Sequence, residues 1–197
     1  FIVDADTSVA TFSDIQQHWS KDFVLGLASQ NFIKGFADGS FQPDAPMTRA
    51  QYAAIVAKAY DLPLKQAATT FSDVPQNFWA LDFITKSNRM GFIAGFPDGT
   101  FRPGQNLTRV QALVSLVNGL GLMGGTPSAV GAYSDRAEIP SYATDVVATA
   151  TQKRMVVNHP NVAQLRPTMD ITRAEVAALV YQSLVATNRA PAIASAF

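Results

Sequence analysis

Apolar positions along this chain fall into short stripes of helical spacing, separated by polar turns rich in Gly and Pro. Val110, Leu113, Val114 and Val117 stand at i, i+3, i+4 and i+7, which predicts a helix with one buried face. Val176, Leu179 and Val180 begin the same stripe further on. A second kind of helix is expected roughly from Trp19 to Gln30, with Phe23 and Leu27 on one face, and its counterparts begin near Trp79 and Tyr142. Between the two kinds, Asp38-Gly39 and Asp98-Gly99 lie among aromatic residues. Asp-Gly pairs in that setting predict tight turns joining very short extended segments.

These elements repeat. Phe12-Ser13-Asp14-Ile15 recurs as Phe71-Ser72-Asp73-Val74 and more faintly as Tyr133-Ser134-Asp135-Arg136. Gly35-Phe36-Ala37-Asp38-Gly39-Ser40-Phe41-Gln42-Pro43 is matched by Gly95-Phe96-Pro97-Asp98-Gly99-Thr100-Phe101-Arg102-Pro103, whereas the third copy keeps only Leu165-Arg166-Pro167. Each copy ends on a Thr-Arg-x-(Gln/Glu) signature at Thr48, Thr108 and Thr172. Ordered agreement of several elements makes this a tandem repeat. Module boundaries are expected at 12–62, 71–122 and 133–187, with an extension over 1–11 and a tail over 188–197. Linkers run from Leu62-Pro63 to Thr70 and from Gly119 to Gly131.

In the signature, Thr followed three residues later by Gln or Glu is a capping box: the Thr side chain and the Gln51, Gln111 or Glu175 side chain satisfy each other's backbone N–H groups. The Arg does not belong to that device. Arg49, Arg109 and Arg173 occupy the first helical position, where the helix dipole disfavours a cation. Two explanations stand side by side. One is a site for an anionic oxygen, made by the guanidinium and free helix N-terminal N–H groups. The other is a structural lock in which each Arg pairs with an Asp such as Asp14 or Asp73. The recurring Phe residues read as core, and Trp19 and Trp79, at helix starts, as candidate walls of a groove.

Composition narrows the function. Apolar residues make up 48% of the 197 residues and charged residues 15%, enough to build a core and too few charges for a disordered chain. The formal net charge of zero argues against nucleic acid as a partner. The absence of cysteine removes thiol catalysis and thiolate zinc sites. His18 and His159 lie in different modules without metal-ligand spacing, and Asp4 and Asp6 lack the downstream Gly and Glu of a calcium loop. No apolar stretch has the length of a transmembrane helix, and no cofactor, metal or catalytic group is expected. The start at Phe1 reads as that of a mature product or excised fragment.

The Phe-Ser-Asp-(Ile/Val) start, the Gly-Phe-x-Asp-Gly-(Ser/Thr)-Phe-x-Pro turn and the Thr-Arg signature together resemble the S-layer homology (SLH) module, over nearly the whole chain from Phe12 to about Thr187. The wording from Thr108 to Leu120 is similar to cyanobacterial members. The resemblance implies a mainly α fold of three helix-turn-helix modules in a pseudo-threefold arrangement around a central three-helix bundle. It implies a monomeric, non-catalytic anchor in the cell envelope, outside the cytoplasm. Its partner would be a secondary cell-wall polysaccharide linked to peptidoglycan, anionic through groups such as a pyruvate ketal, held in grooves between modules. A protein–protein assembly module of the envelope is the alternative. The binding set carried over is Arg49, Arg109, Arg173, Trp19, Trp79, Gly35, Gly95, Asp14 and Asp73. Gln51 and Gln111 stand where the family has Glu, and the third copy lacks the Asp-Gly turn and the Trp. Modules one and two are therefore expected to keep the full groove apparatus, and module three to serve the fold.

Overall fold

A computed structural model describes residues 11–193. Asp4 and Asp6 and the end of the tail lie outside the described residues. The first helix of each repeat is α1 (Lys21–Ala28), α3 (Leu81–Arg89) or α5 (Thr144–Gln152). The signature helices are α2 (Arg49–Ala59), α4 (Arg109–Gly119) and α6 (Arg173–Ala186). The expected helix from Trp19 to Gln30 is shorter: Trp19 and Ser20 belong to a preceding turn, in which the Lys21 N–H donates to the His18 carbonyl. Among the described residues there is no strand, so the expected extended segments are not formed as such. Only isolated bridges occur, and they join modules: Pro46 with Thr172, Thr48 with Asn106, Thr108 with Asp170.

All three signature helices start on a complete capping box. The Thr48 N–H donates to Gln51 Oε1 at 3.1 Å, Thr108 to Gln111 at 3.0 Å and Thr172 to Glu175 at 2.9 Å. Each cap is worth about 1 kcal/mol. The predicted stripe is buried at Val110, Leu113 and Val117, with Val114 half-buried at its edge. In α6 every residue from Arg173 to Tyr181 is buried, so this helix is enclosed on all sides rather than on one face.

The modules interlock by one set of contacts used three times. The Leu107 N–H donates to the Met47 carbonyl, the Ile171 N–H to Leu107, and the Met47 N–H to Ile171, closing a ring. Each signature helix packs against the first helix of the next module: α2 on α3, α4 on α5, α6 on α1. Buried hydroxyl pairs tie the signature helices to one another, with Tyr52 donating to Ser115 at 2.8 Å and Tyr60 hydrogen-bonded to Ser183. Burial pushes both tyrosine hydroxyls up, Tyr60 to about 12, so they remain neutral partners.

Within modules one and two, the opening Asp holds the turn. Asp14 accepts the Phe41 and Gln42 N–H groups at 2.8 and 2.7 Å, and Asp73 accepts those of Phe101 and Arg102 at 2.7 Å each. Gln42 and Arg102 have φ of 56° and 57°, a left-handed conformation that the carboxylate fork helps maintain. Module three reproduces the fork at Asp135 with Leu165 and Arg166, although its Asp-Gly turn is replaced. Asn161 there accepts the Ala163 N–H, and the His159–Pro160 peptide is cis.

The linkers are parts of the body. Lys65 Nζ donates to the Asn118 and Gly119 carbonyls, closing the C-terminus of α4. The second linker carries a 3-10 helix over Pro127–Ala132, so it is not irregular throughout. Gly125 lies so close to α5 that a Cβ would sit 2.1 Å from the Thr149 nitrogen. The tail returns to α6, where Tyr181 donates to the Pro191 carbonyl. Among the described residues no helix is long and apolar enough to cross a membrane.

Candidate groove site

The three signature Arg residues are only 5–7% exposed, and each reaches into the next module. Arg49 Nε donates to the Phe101 carbonyl and Nη2 to Ala94, both at 2.7 Å. Arg173 makes the same pair of bonds to Phe41 at 2.7 Å and Lys34 at 3.1 Å. Arg109 Nε donates to Leu165 at 2.7 Å, and its Nη2 finds Asn158 Oδ1 at 2.7 Å. The guanidiniums of Arg49 and Arg173 also lie between aromatic rings, Arg49 over Phe96 and Phe101 and Arg173 over Phe36 and Phe41, at 4.6–4.9 Å. Such sandwiches stabilise a desolvated cation by about 1–2 kcal/mol. The recurrent Phe residues are thus divided, since Phe41 and Phe101 are buried whereas Phe36 is exposed.

Two sequence expectations need correction. The N-terminal N–H groups of the signature helices are not free for an anion. Those of Arg49 and Ala50 donate to Gln105 and Pro103, and the equivalent groups of α4 and α6 donate to Met169, Pro167, Ala45 and Pro43. Closure of the ring consumes them, so any anion would have to be held by side chains. Nor does any signature Arg form an ion pair with Asp14 or Asp73, whose carboxylates hold the backbone forks described above. At Arg49 and Arg173 the locks are backbone carbonyls, which carry no sequence signal, whereas at Arg109 the side chains of Asn158 and Glu175 take part.

Each open groove draws on all three modules. The Arg49 groove, about 290 Å³, has Arg49 of module one, a floor from Gly91 to Phe96 and α4 of module two, and Tyr142 of module three as a wall. The Arg173 groove, about 150 Å³, has Arg173 of module three, a floor from module one including Ile33 and Gln51, and Trp79 of module two. Trp79 and Tyr142 are 60% and 68% exposed. Gly95 lines the first groove, and Gly35 does not line the second. Both glycines serve close packing: a Cβ would sit 2.5 Å from the Phe12 ring at Gly35 and 2.2 Å from the Phe71 ring at Gly95.

The equivalent space at Arg109 shrinks to about 10 Å³. Here Glu175 occupies the position of Gln51 and Gln111. It meets Arg109 Nη1 at 3.0 Å and Arg166 Nη2 at 2.6 Å while still capping α6. Trp19, the expected wall, does not line this space and stacks on His159, centroids 5.1 Å apart and planes 12° from parallel. Among the described residues, Arg49 and Arg173 have no such carboxylate within ion-pair distance. Burial pulls both guanidiniums below the ordinary arginine range, Arg49 to about 10, so both remain cationic at neutral pH. At Arg109 burial acts in the same direction and Glu175 opposes it. The sequence reading missed Tyr142 as a wall and the second role of Glu175; the Gln-Gln-Glu pattern in the signature was the available signal.

Comparison with known proteins places the first two repeats in a described domain family. The model of the S-layer homology domain matches residues 11–53 and 70–113, the first two repeats. An amylopullulanase of Thermoanaerobacterium thermosulfurigenes is 30% identical over 175 residues, covering 87% of this chain and 9% of that protein. A cellulosome-anchoring protein of Acetivibrio thermocellus is 30% identical over 161 residues, 78% of this chain and 35% of that protein. The S-layer protein sap of Bacillus anthracis is 33% identical over 123 residues, 60% of this chain and 15% of that protein. The chain thus spans only a minor part of these relatives. S-layer homology domains in S-layer and cellulosome-anchoring proteins are cell-surface anchoring modules. Residues 11–53 and 70–113 of the chain are thus two tandem S-layer homology domains.

Proposed function

We propose that this chain attaches its protein to the bacterial cell wall without catalysis, by holding an anionic, peptidoglycan-linked polysaccharide in the grooves at Arg49 and Arg173. The observation that carries this reading is the pair of buried guanidiniums, each lining an open groove beside an exposed aromatic ring and lacking a carboxylate partner among the described residues. A buried cation with no paired counter-ion is costly, and an anionic sugar would supply a paired charge while its ring lies on Trp79 or Tyr142. The relatives fit an anchoring role: the shared stretch recurs in an amylopullulanase, a cellulosome-anchoring protein and an S-layer protein. On this reading the three repeats act as one body, and the Arg109 module edge is structural.

Purified chain should sediment with wall sacculi and lose that retention once the attached polysaccharide is chemically stripped. Retention on stripped peptidoglycan, or capture only through an envelope protein, would overturn the proposal.

A further inference from the structure

The two open grooves differ in charge at positions their shared geometry makes equivalent. The carbonyl that accepts Arg173 Nη2 belongs to Lys34, and the one that accepts Arg49 Nη2 belongs to Ala94. Nine residues beyond the signature Arg, α2 carries Lys58 and α4 carries Asn118. All four residues line their respective grooves. The Arg173 groove therefore gathers Arg173, Lys34 and Lys58, whereas Arg49 is the one cation lining the other.

No carboxylate among the described residues forms an ion pair with that cluster, and Asp14 acts on Arg173 only from beyond ion-pair distance. Among the described residues, no carboxylate lies within ion-pair distance of Lys34 or Lys58, and neither groove is lined by an acidic residue. The two lysines are close enough to repel: burial first and then Lys34 pull the Lys58 ammonium below its ordinary range. Lys58 Nζ is 5.1 Å from the Phe83 ring centroid, which keeps it beside the groove. In module two the neighbouring cation is Arg102, which pairs with Asp98 at 2.8 Å and does not line the groove. The more strongly charged groove is also the smaller, about 150 against 290 Å³. Like charges gathered around a small concave space favour a compact, multiply charged anion.

We propose that the two grooves take different charge classes, the Arg173 groove a saccharide unit bearing two negative charges and the Arg49 groove a unit bearing one. The second charge can come from a phosphate monoester or from two neighbouring carboxylates. This rests on the reading that the grooves bind an anionic polysaccharide.

Nuclear magnetic resonance on the isotopically labelled full chain tests it. Inorganic phosphate, malonate and acetate are titrated at pH 8, and the Trp79 indole N–H and the Nε–H signals of Arg49 and Arg173 are followed. A dianion should move the Trp79 and Arg173 signals at concentrations about tenfold lower than acetate requires, with no such preference at Arg49. Response to phosphate alone assigns both charges to one phosphate; response to phosphate and malonate makes total charge the criterion. Either supports the proposal. The double variant Lys34→Ala with Lys58→Asn, which copies the Arg49 groove, should abolish the preference at Arg173 and leave the Arg49 signals as they were.

Equal response to acetate and the dianions overturns the inference, as does a preference that survives the double variant or silence at both grooves. Sacculus retention separates this from failure of the underlying reading. If Arg49→Ala with Arg173→Ala abolishes retention while the anion responses are equal, only the charge assignment fails. If retention is unchanged by those two substitutions, the groove reading itself fails.

Discussion

The space at Arg109 and the groove at Arg49 share equivalent parts: a signature Arg, the floor of the next module and the capping residue of that module's signature helix. One is filled and the other open. The difference traces to a single capping position. Gln111 can cap α4 but brings no charge, so Arg49 is left cationic beside the groove. Glu175 caps α6 equally well and also draws in Arg109 and Arg166. One carboxylate thereby supplies the counter-charge that the open grooves would take from a ligand, while its other oxygen still caps the helix.

Removing that carboxylate gives the largest expected effect. Glu175→Ala strips the α6 cap and leaves two cations without their partner, one of them buried, and should cost about 3–4 kcal/mol. The equivalent Gln111→Ala should cost only about 1 kcal/mol, the value of a cap. Glu175→Gln sharpens the contrast, since it retains the cap and copies the open grooves. Urea denaturation should rank the three variants in the order Glu175→Ala, Glu175→Gln, Gln111→Ala. Equal midpoints for the first and last would show that the Arg109–Glu175–Arg166 cluster adds nothing beyond capping.

Next in size are the open-groove arginines. Arg173→Ala removes two hydrogen bonds to backbone carbonyls and an aromatic sandwich, for a loss of about 2 kcal/mol in stability. Arg173→Lys retains the charge but not the planar fork. Sacculus binding by Arg173→Lys should fall less than by Arg173→Ala, measured where both remain folded. If the two lose binding equally, the fork rather than the charge matters to the ligand.

What the sequence made legible follows from how local each device is. The capping boxes span four residues, and the buried stripe of α4 spans two turns, so both stood out in the chain. The repeat itself placed Asp14, Asp73 and Asp135 in equivalent positions. The acceptors of the Arg side chains were hidden, because Phe101, Ala94, Phe41 and Lys34 contribute backbone carbonyls that any residue could supply. The engagement of the helix N-terminal N–H groups was hidden for the same reason. Tyr142 and Trp79 were visible as aromatics, but their grooves depend on the ring closing between modules one and three. Module three lost its Asp-Gly turn yet supplies Arg173 and Tyr142 to the two open grooves. Its own floor is filled, while its edges line the grooves of its neighbours.

The aromatic positions give a smaller test of the same contrast. Trp79→Ala and Tyr142→Ala should each weaken sacculus binding several-fold, about 1 kcal/mol, with little change in melting temperature, because both rings are largely exposed. Trp19→Ala should behave in the opposite way, lowering melting temperature through loss of the His159 stack while binding is retained. Comparable binding losses in all three would mean that the Arg109 space opens in solution.

The smallest effect concerns the turn that carries the Phe36 and Phe41 rings to Arg173. Burial pushes the Asp14 carboxyl up, but the Phe41 and Gln42 N–H groups outweigh it and hold the group below its ordinary value of 3.8. A carboxylate depressed in the folded state stabilises the fold above its unfolded pKa, and that contribution is lost as pH falls through the folded one. The fork should therefore hold at neutral pH and loosen only below about pH 4. Asp14→Asn offers one acceptor oxygen where two backbone N–H groups need partners, so it should loosen the turn at every pH. Amide hydrogen exchange at Phe41 and Gln42 reads this directly. Faster exchange in the variant at pH 6, after correction for intrinsic rates, is expected; unchanged protection would mean that the closed ring of modules, rather than the Asp14 fork, holds this turn beneath the Arg173 groove.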